Sequence, residues 1–172
     1  MDTNGINLNR CYLTPSAKYH PSIYAVKKII LHLHEQEKFF AFLDLHAHAT
    51  RRGTFIYGNW TNSLIKQMET CIFPKILSMN CENFEYEGSN FTEKNMYCKD
   101  KADHMSKEGS GRVAIFKATN NPYCWTLECN YNKGKVINVL EKKKNLEDEV
   151  IKPTENDLDS KIIIDYKYPT QK

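Results

Sequence analysis

Phe42-Leu-Asp-Leu-His-Ala-His-Ala-Thr-Arg-Arg-Gly-Thr-Phe-Ile-Tyr-Gly-Asn59 passes from an apolar strand into a polar, glycine-containing turn within a few residues. Chemistry collects at such strand ends. Just upstream, Phe39-Phe40-Ala41-Phe42-Leu43 has no polar face, so residues 39–48 are expected to form a central strand covered on both sides. Asp44, His46 and His48 then leave its C-terminal end on one face. An imidazole there can give one nitrogen to zinc and its other N–H to an acceptor that fixes the tautomer. The plainer alternative is a pair of hydrogen-bonded strand-end histidines.

Downstream, residues 51–59 read as a turn. Thr61 or Asn62 can cap a helix whose packed stripe is Leu64, Ile65, Met68, Ile72, Ile76 and Leu77, with its Met and Cys as core fillers. Pro74 is expected to kink or divide it. Residues 80–111 lose periodicity and read as a long loop around one short strand near residues 84–86. Residues 113–116 have the pattern of a short strand. Residues 123–130 alternate as a strand, with Trp125 and Leu127 on one face and Thr126 and Glu128 on the other. A carboxylate flanked by apolar residues is costly without a partner, which points Glu128 toward function.

Upstream, Pro21 opens a helix on which Ile23, Val26, Ile30 and Leu33 face the sheet. The polar, turn-rich residues 1–19 place Asn9 and Arg10 on a loop. There a guanidinium fork matches a carboxylate bidentately and an amide donor lies beside it.

The chain has 172 residues, of which 41% are hydrophobic and 26% charged, as expected for one globular domain with a real core. A net charge of +3 and a pI near 8.4 are too mild for a nucleic-acid protein. The six cysteines show no CxxC spacing and several lie in apolar segments, which fits reduced thiols in a reducing compartment. No apolar run approaches about 18 residues and the N-terminus has no signal pattern, so neither membrane nor secretion is expected. Beyond Gly134 the composition turns to Lys, Glu, Asp and Asn. The expected division is a domain over residues 1–134 and a charged, mobile tail over residues 135–172.

Asp44-Leu45-His46 followed by Tyr57-Gly58-Asn59 resembles the third zinc-ligand segment of the zinc metallocarboxypeptidases, and residues 45–53 resemble their cytosolic carboxypeptidase branch in particular. Asn7-Leu8-Asn9-Arg10 is similar to the family's carboxylate-binding Asn-Arg pair. Residues 126–132 are similar to the strand that carries its catalytic glutamate, and Lys107-Glu108-Gly109-Ser110-Gly111-Arg112 to its specificity loop. The resemblance runs from about Asn4 to about Asn132, in the family's order, and is strongest to the deglutamylase type. It implies an α/β fold, part of a carboxypeptidase-like mixed β-sheet flanked by helices, with the early strands missing. It also implies a short helix over residues 112–117.

By the same resemblance His46 is a ligand of one Zn2+ and Glu128 the catalytic base. Asn9 and Arg10 hold the substrate's terminal carboxylate, Arg112 is the pocket floor that pairs with an acidic side chain, and Tyr97 closes over the substrate. The implied substrates are polypeptide C-termini or branch-point glutamates in the cytoplasm, tubulin tails among them. The family's first two zinc ligands, a His and a Glu, lie upstream of the Asn-Arg pair. The chain opens just before that pair, so they are expected outside it and the zinc site incomplete. His32 and Glu35 have the right His-x-x-Glu spacing but follow the pair inside an amphipathic helix, and read as solvated helix residues. The competing reading is an inactive fragment or a carboxylate-binding module that lacks the first two ligands.

Overall fold

Residues 1–100, 104–132 and 134–140 are described in this computed structural model. They form a compact unit, Met1–Leu140. Ile137 and Asn138 are tied into it by hydrogen bonds to Glu82 O (2.8 Å), Cys81 O (2.8 Å) and Phe84 O (2.8 Å). The greater part of the expected tail, residues 141–172, lies outside the described residues.

Helix α1 (Pro21–Glu35) begins at its proline, as the sequence predicts, and buries Ile23 and Ile30. It is followed by β1 (Phe42–His48), β2 (Thr54–Tyr57), α2 (Leu64–Asn80), the short α3 (Glu93–Tyr97), α4 (Gly111–Thr119) and β3 (Cys124–Asn130). Asn9 and Arg10 sit on a single 3-10 turn, Leu8–Arg10. The helix implied over residues 112–117 is present as α4 and wins over the strand pattern of residues 113–116.

The sheet order is β1-β3-β2, with β3 parallel to β1 and antiparallel to β2. Three expectations need correction. The central strand is β3, not β1. Among the described residues β1 is an edge strand, starts at Phe42 rather than Phe39, and is half buried in strict alternation. Its Phe42 face meets Tyr12 and α4, while Leu43 and Leu45 point out, Leu45 being 71% exposed. Second, the stretch read as one turn contains β2. Gly53, at φ +84, reverses the chain, and the β-favouring Thr54-Phe55-Ile56-Tyr57 then pairs with β3, with Phe55 and Ile56 fully buried.

The third correction concerns α2. Pro74 does not divide it, and the stripe expected to pack is the one exposed: Leu64, Ile65, Met68, Ile72 and Ile76 face out, Met79 with them. Thr70, Pro74 and Ser78 are buried, with Phe73 and Leu77 packed beside them. Small residues let the helix approach Trp125 closely, and the indole N–H donates to Thr70 O at 2.9 Å. Ser63 caps the helix rather than Thr61 or Asn62. In the loop beyond α2, residues 84 and 90 make only isolated bridges, to Thr54 and Tyr57, and α3 was not legible in the pattern.

Apolar clusters lie on both faces of β3. Ile30, Ile115 and Cys124 pack with Phe39, Phe42 and Phe116 on one face, while Ile56, Phe84 and Trp125 pack with Phe73 and Leu77 on the other. The architecture is α/β with a mixed sheet flanked by helices. It leaves the C-terminal ends of β1 and β3 open beside one another, which is where the polar residues gather.

Candidate active site

Register fixes the site. Asp44 lies opposite Thr126 and His46 opposite Glu128, so all four occupy one face of the sheet. His46, Thr126 and Glu128 line a cavity of about 370 Å³ together with Asn9, Arg10, Tyr57, Lys107, Ser110 and Arg112 at its other walls, and Asp44 contacts His46 without lining it. The structure thus brings together Asn9, Arg10, His46, Arg112 and Glu128 from four separate segments. Tyr97 is not among the lining residues. Its ring lies against Lys117 Nζ, 5.5 Å from the centroid. His32 stands apart too, on the exposed side of α1 next to Gln36.

His46 Nε2 is 2.8 Å from Asp44 Oδ2. That hydrogen bond is the main reason the imidazole's pKa lies above its usual value, with the charges of Asp44 and Glu128 adding and burial opposing. Assigning the Nε2 proton to this bond leaves Nδ1 facing Glu128 Oε1 at 3.7 Å. Asn9 holds Asp44: its Nδ2 donates to Asp44 Oδ2 at 3.0 Å and passes 2.9 Å from His46 Nε2, which already carries its proton, and its Oδ1 accepts from Gly111 N at 2.9 Å, at the start of α4.

Arg10 is pinned by its neighbours. NH1 donates to Asn9 O at 2.8 Å and NH2 to Asp100 Oδ2 at 2.8 Å, while buried Nε has no hydrogen-bond partner among the described residues. Ser110 Oγ, also in the cavity wall, is buried and without a partner in the same sense. Arg112 is 2% exposed. It donates to Gly58 O, to Asn59 Oδ1 at 3.0 Å and to Asn95 Oδ1 at 3.0 Å, all neutral acceptors. Burial without a carboxylate partner pulls its pKa down to about 10, so it stays charged at neutral pH. Asn59 in turn donates to Cys124 O at 3.0 Å, fastening this guanidinium to the central strand.

Sequence reasoning did not single out Tyr57, Asp100, Asn59 or Asn95. Tyr57 was inside a quoted motif, but the four residues of β2 are too few to show which face it takes. Asp100 lies 90 positions from Arg10 and carries no local signal.

The residues present do not by themselves fit a zinc ion. No group of three His, Cys, Asp or Glu side chains converges among the described residues. His46 offers one nitrogen, whereas catalytic zinc takes three protein ligands. What the cavity does offer is a carboxylate, Glu128, 8% exposed, and a guanidinium, Arg112, whose acceptors among the described residues are all neutral.

No family model matches the chain. Among curated proteins, it is 50% identical over 99 residues to cytosolic carboxypeptidase-like protein 5 of Homo sapiens, 58% of this chain and 11% of that protein. The Danio rerio protein of that name matches to the same extent. Cytosolic carboxypeptidase 6 of Homo sapiens is 32% identical over 130 residues, 74% of this chain and 24% of that protein. The chain therefore spans between about a ninth and a quarter of the length of these relatives. No helix among the described residues is long and apolar enough to cross a membrane.

Proposed function

We propose, from the premise that over the stretch it shares with them this chain belongs to the cytosolic carboxypeptidase branch, that the cavity receives the carboxylate-bearing end of an acidic polypeptide. The reaction is hydrolytic release of C-terminal or branch-point glutamate, with tubulin tails in the substrate class. The observation that carries this reading is Arg112, a buried guanidinium in the cavity wall that meets only neutral oxygens among the described residues. A buried cation of this kind favours an anionic partner, and a glutamate side chain supplies one.

In this reading Arg10 takes the terminal carboxylate through its unused N–H groups. Asn9, whose amide is already committed, keeps Asp44 in place, and Asp44 in turn holds His46. Glu128 accepts the proton of the attacking water. Zinc belongs to the reading as the expected metal, with His46 as one ligand. The described residues do not complete its shell, so the roles of Arg10, Asn9 and Glu128 rest on this chain's own side chains.

Release of glutamate from a poly-glutamate peptide tests it. Glu128→Gln should lower turnover by about 10²-fold or more, and unchanged turnover would reject the assignment. Arg112→Ala should cost far more on glutamate-ended than on leucine-ended peptides, and equal losses would remove it from the pocket floor.

A second reading, a carboxylate-binding module without catalysis, is favoured by the lack of a three-ligand cluster among the described residues. It expects N-acetylglutamate binding that survives chelator and no stoichiometric zinc. One equivalent of zinc lost on His46→Ala would decide against it.

A further inference from the structure

A second cavity of about 410 Å³ lies on the other side of the turn that follows β1, lined by Arg51, Arg52, Glu85, Gly134 and Lys135. Its best-fixed member is Arg51. The guanidinium stacks on the buried Phe55 ring at 4.0 Å, and NH2 is 3.6 Å from Glu85. It approaches Gly88 so closely that a Cβ there would lie 2.2 Å from NH2. The Phe55 ring in turn meets the Tyr57 ring edge-on at 5.4 Å, and Tyr57 lines the first cavity, so a continuous stack of side chains joins the two spaces. Lys107 lies on the same tyrosine ring, 5.5 Å from its centroid.

Charge is concentrated in the same way. The first cavity is lined by three Lys or Arg and two Asp or Glu, and the second by three and one. The excess of cations lining the second cavity attracts an anion to it.

We infer that the Arg51, Arg52 and Lys135 cavity is an exosite for side-chain carboxylates of an acidic polypeptide whose end occupies the first cavity. The inference rests on the function proposed above and adds to it a requirement for several acidic residues. Arg51 is pre-ordered by Phe55 and Gly88, so little side-chain entropy is lost when a carboxylate binds it. Glu85, shared by Arg51 (3.6 Å) and Lys135 (3.5 Å), is the internal anion that the incoming carboxylate outcompetes.

The test is fluorescence anisotropy of the full chain at low salt with labelled hexaglutamate, and calorimetry with N-acetylglutamate, which can fill only the first cavity. Arg52→Glu with Lys135→Glu should weaken hexaglutamate about tenfold or more while leaving N-acetylglutamate unchanged. Glu85→Gln should strengthen hexaglutamate, and the milder Arg52→Gln with Lys135→Gln should repeat the loss if charge reversal perturbs folding. No change in hexaglutamate affinity, an equal loss of both ligands, or a single-stranded oligonucleotide binding as well as hexaglutamate would each overturn the exosite. Arg10→Ala separates the two claims. If it leaves N-acetylglutamate binding intact while the Arg52 and Lys135 variant still weakens hexaglutamate, the exosite stands and the assignment of the first cavity falls.

Discussion

Gly109 shows how tightly the Arg10 segment and the loop before α4 are fitted. A Cβ at this position would lie 2.1 Å from Arg10 O, a backbone atom that cannot rotate away, and Gly109 O accepts from Tyr12 N at 3.0 Å. Gly109→Ala is therefore expected to cost about 3 kcal/mol in urea unfolding and to weaken N-acetylglutamate binding by displacing Arg10. A stable variant with normal binding would show that the two segments are not coupled. Cys124 offers a check on burial. Fully buried, its thiol is pushed up to about 12 by desolvation. A thiol held neutral by the fold contributes its stability below the unfolded value near 9.0 and loses it as pH rises toward 12. At pH 8.5 Cys124 should resist iodoacetamide in the native chain and react in urea. Mass spectrometry reads this directly, and rapid native labelling would mean that the face around Ile30 and Ile115 opens. At this scale the sequence was partly legible: the alternation of residues 123–130 puts Glu128 on one face without any structure. The clasp of Asp100 on Arg10 depends on a loop path that no local pattern encodes.

The elements were legible in kind and less so in facing. Helix α2 carries apolar residues around most of its circumference, so the period admitted two stripes, and the larger side chains marked the wrong one. The decision was made by Trp125, which needs small neighbours, and by Pro74. Lacking an N–H, Pro74 leaves Thr70 O without its helical donor, and the Trp125 indole supplies the replacement at 2.9 Å. This substitution of donors explains why the helix runs through its proline. Trp125→Phe should cost about 1–3 kcal/mol from the orphaned carbonyl, in addition to lost packing. In a Pro74→Ala background, where residue 74 regains its N–H, the same change should cost about 1 kcal/mol less. A double-mutant cycle by chemical denaturation that shows strict additivity would refute the link. Strand β2 was missed for a simpler reason: four residues after a glycine turn are too few to display a period.

At the scale of the molecule, one side of the sheet is only partly covered. Leu43 and Leu45 share the face of β1 that lies on the Trp125 side, and the outward stripe of α2 with Leu64, Ile65, Met68, Ile72 and Ile76 stands on that same side. Among the described residues β1 also has no partner along its outer edge. Apolar side chains next to an unpaired strand edge favour association, because both surface and backbone groups remain unsatisfied. The resemblance implied missing early strands, while the sequence pattern assigned β1 the centre of the sheet, since a run without polar residues gives no clue to which of its faces is covered. The chain is accordingly expected to self-associate as its concentration rises, with sedimentation velocity as the measurement. Leu45→Lys with Ile72→Lys should return it to monomer while shifting the urea midpoint by no more than about 0.5 kcal/mol equivalent, because both side chains are already solvent-facing. A chain that stays monomeric at high concentration would show that this face is tolerated in water. A large loss of stability in the double variant would show instead that Leu45 and Ile72 pack within one molecule.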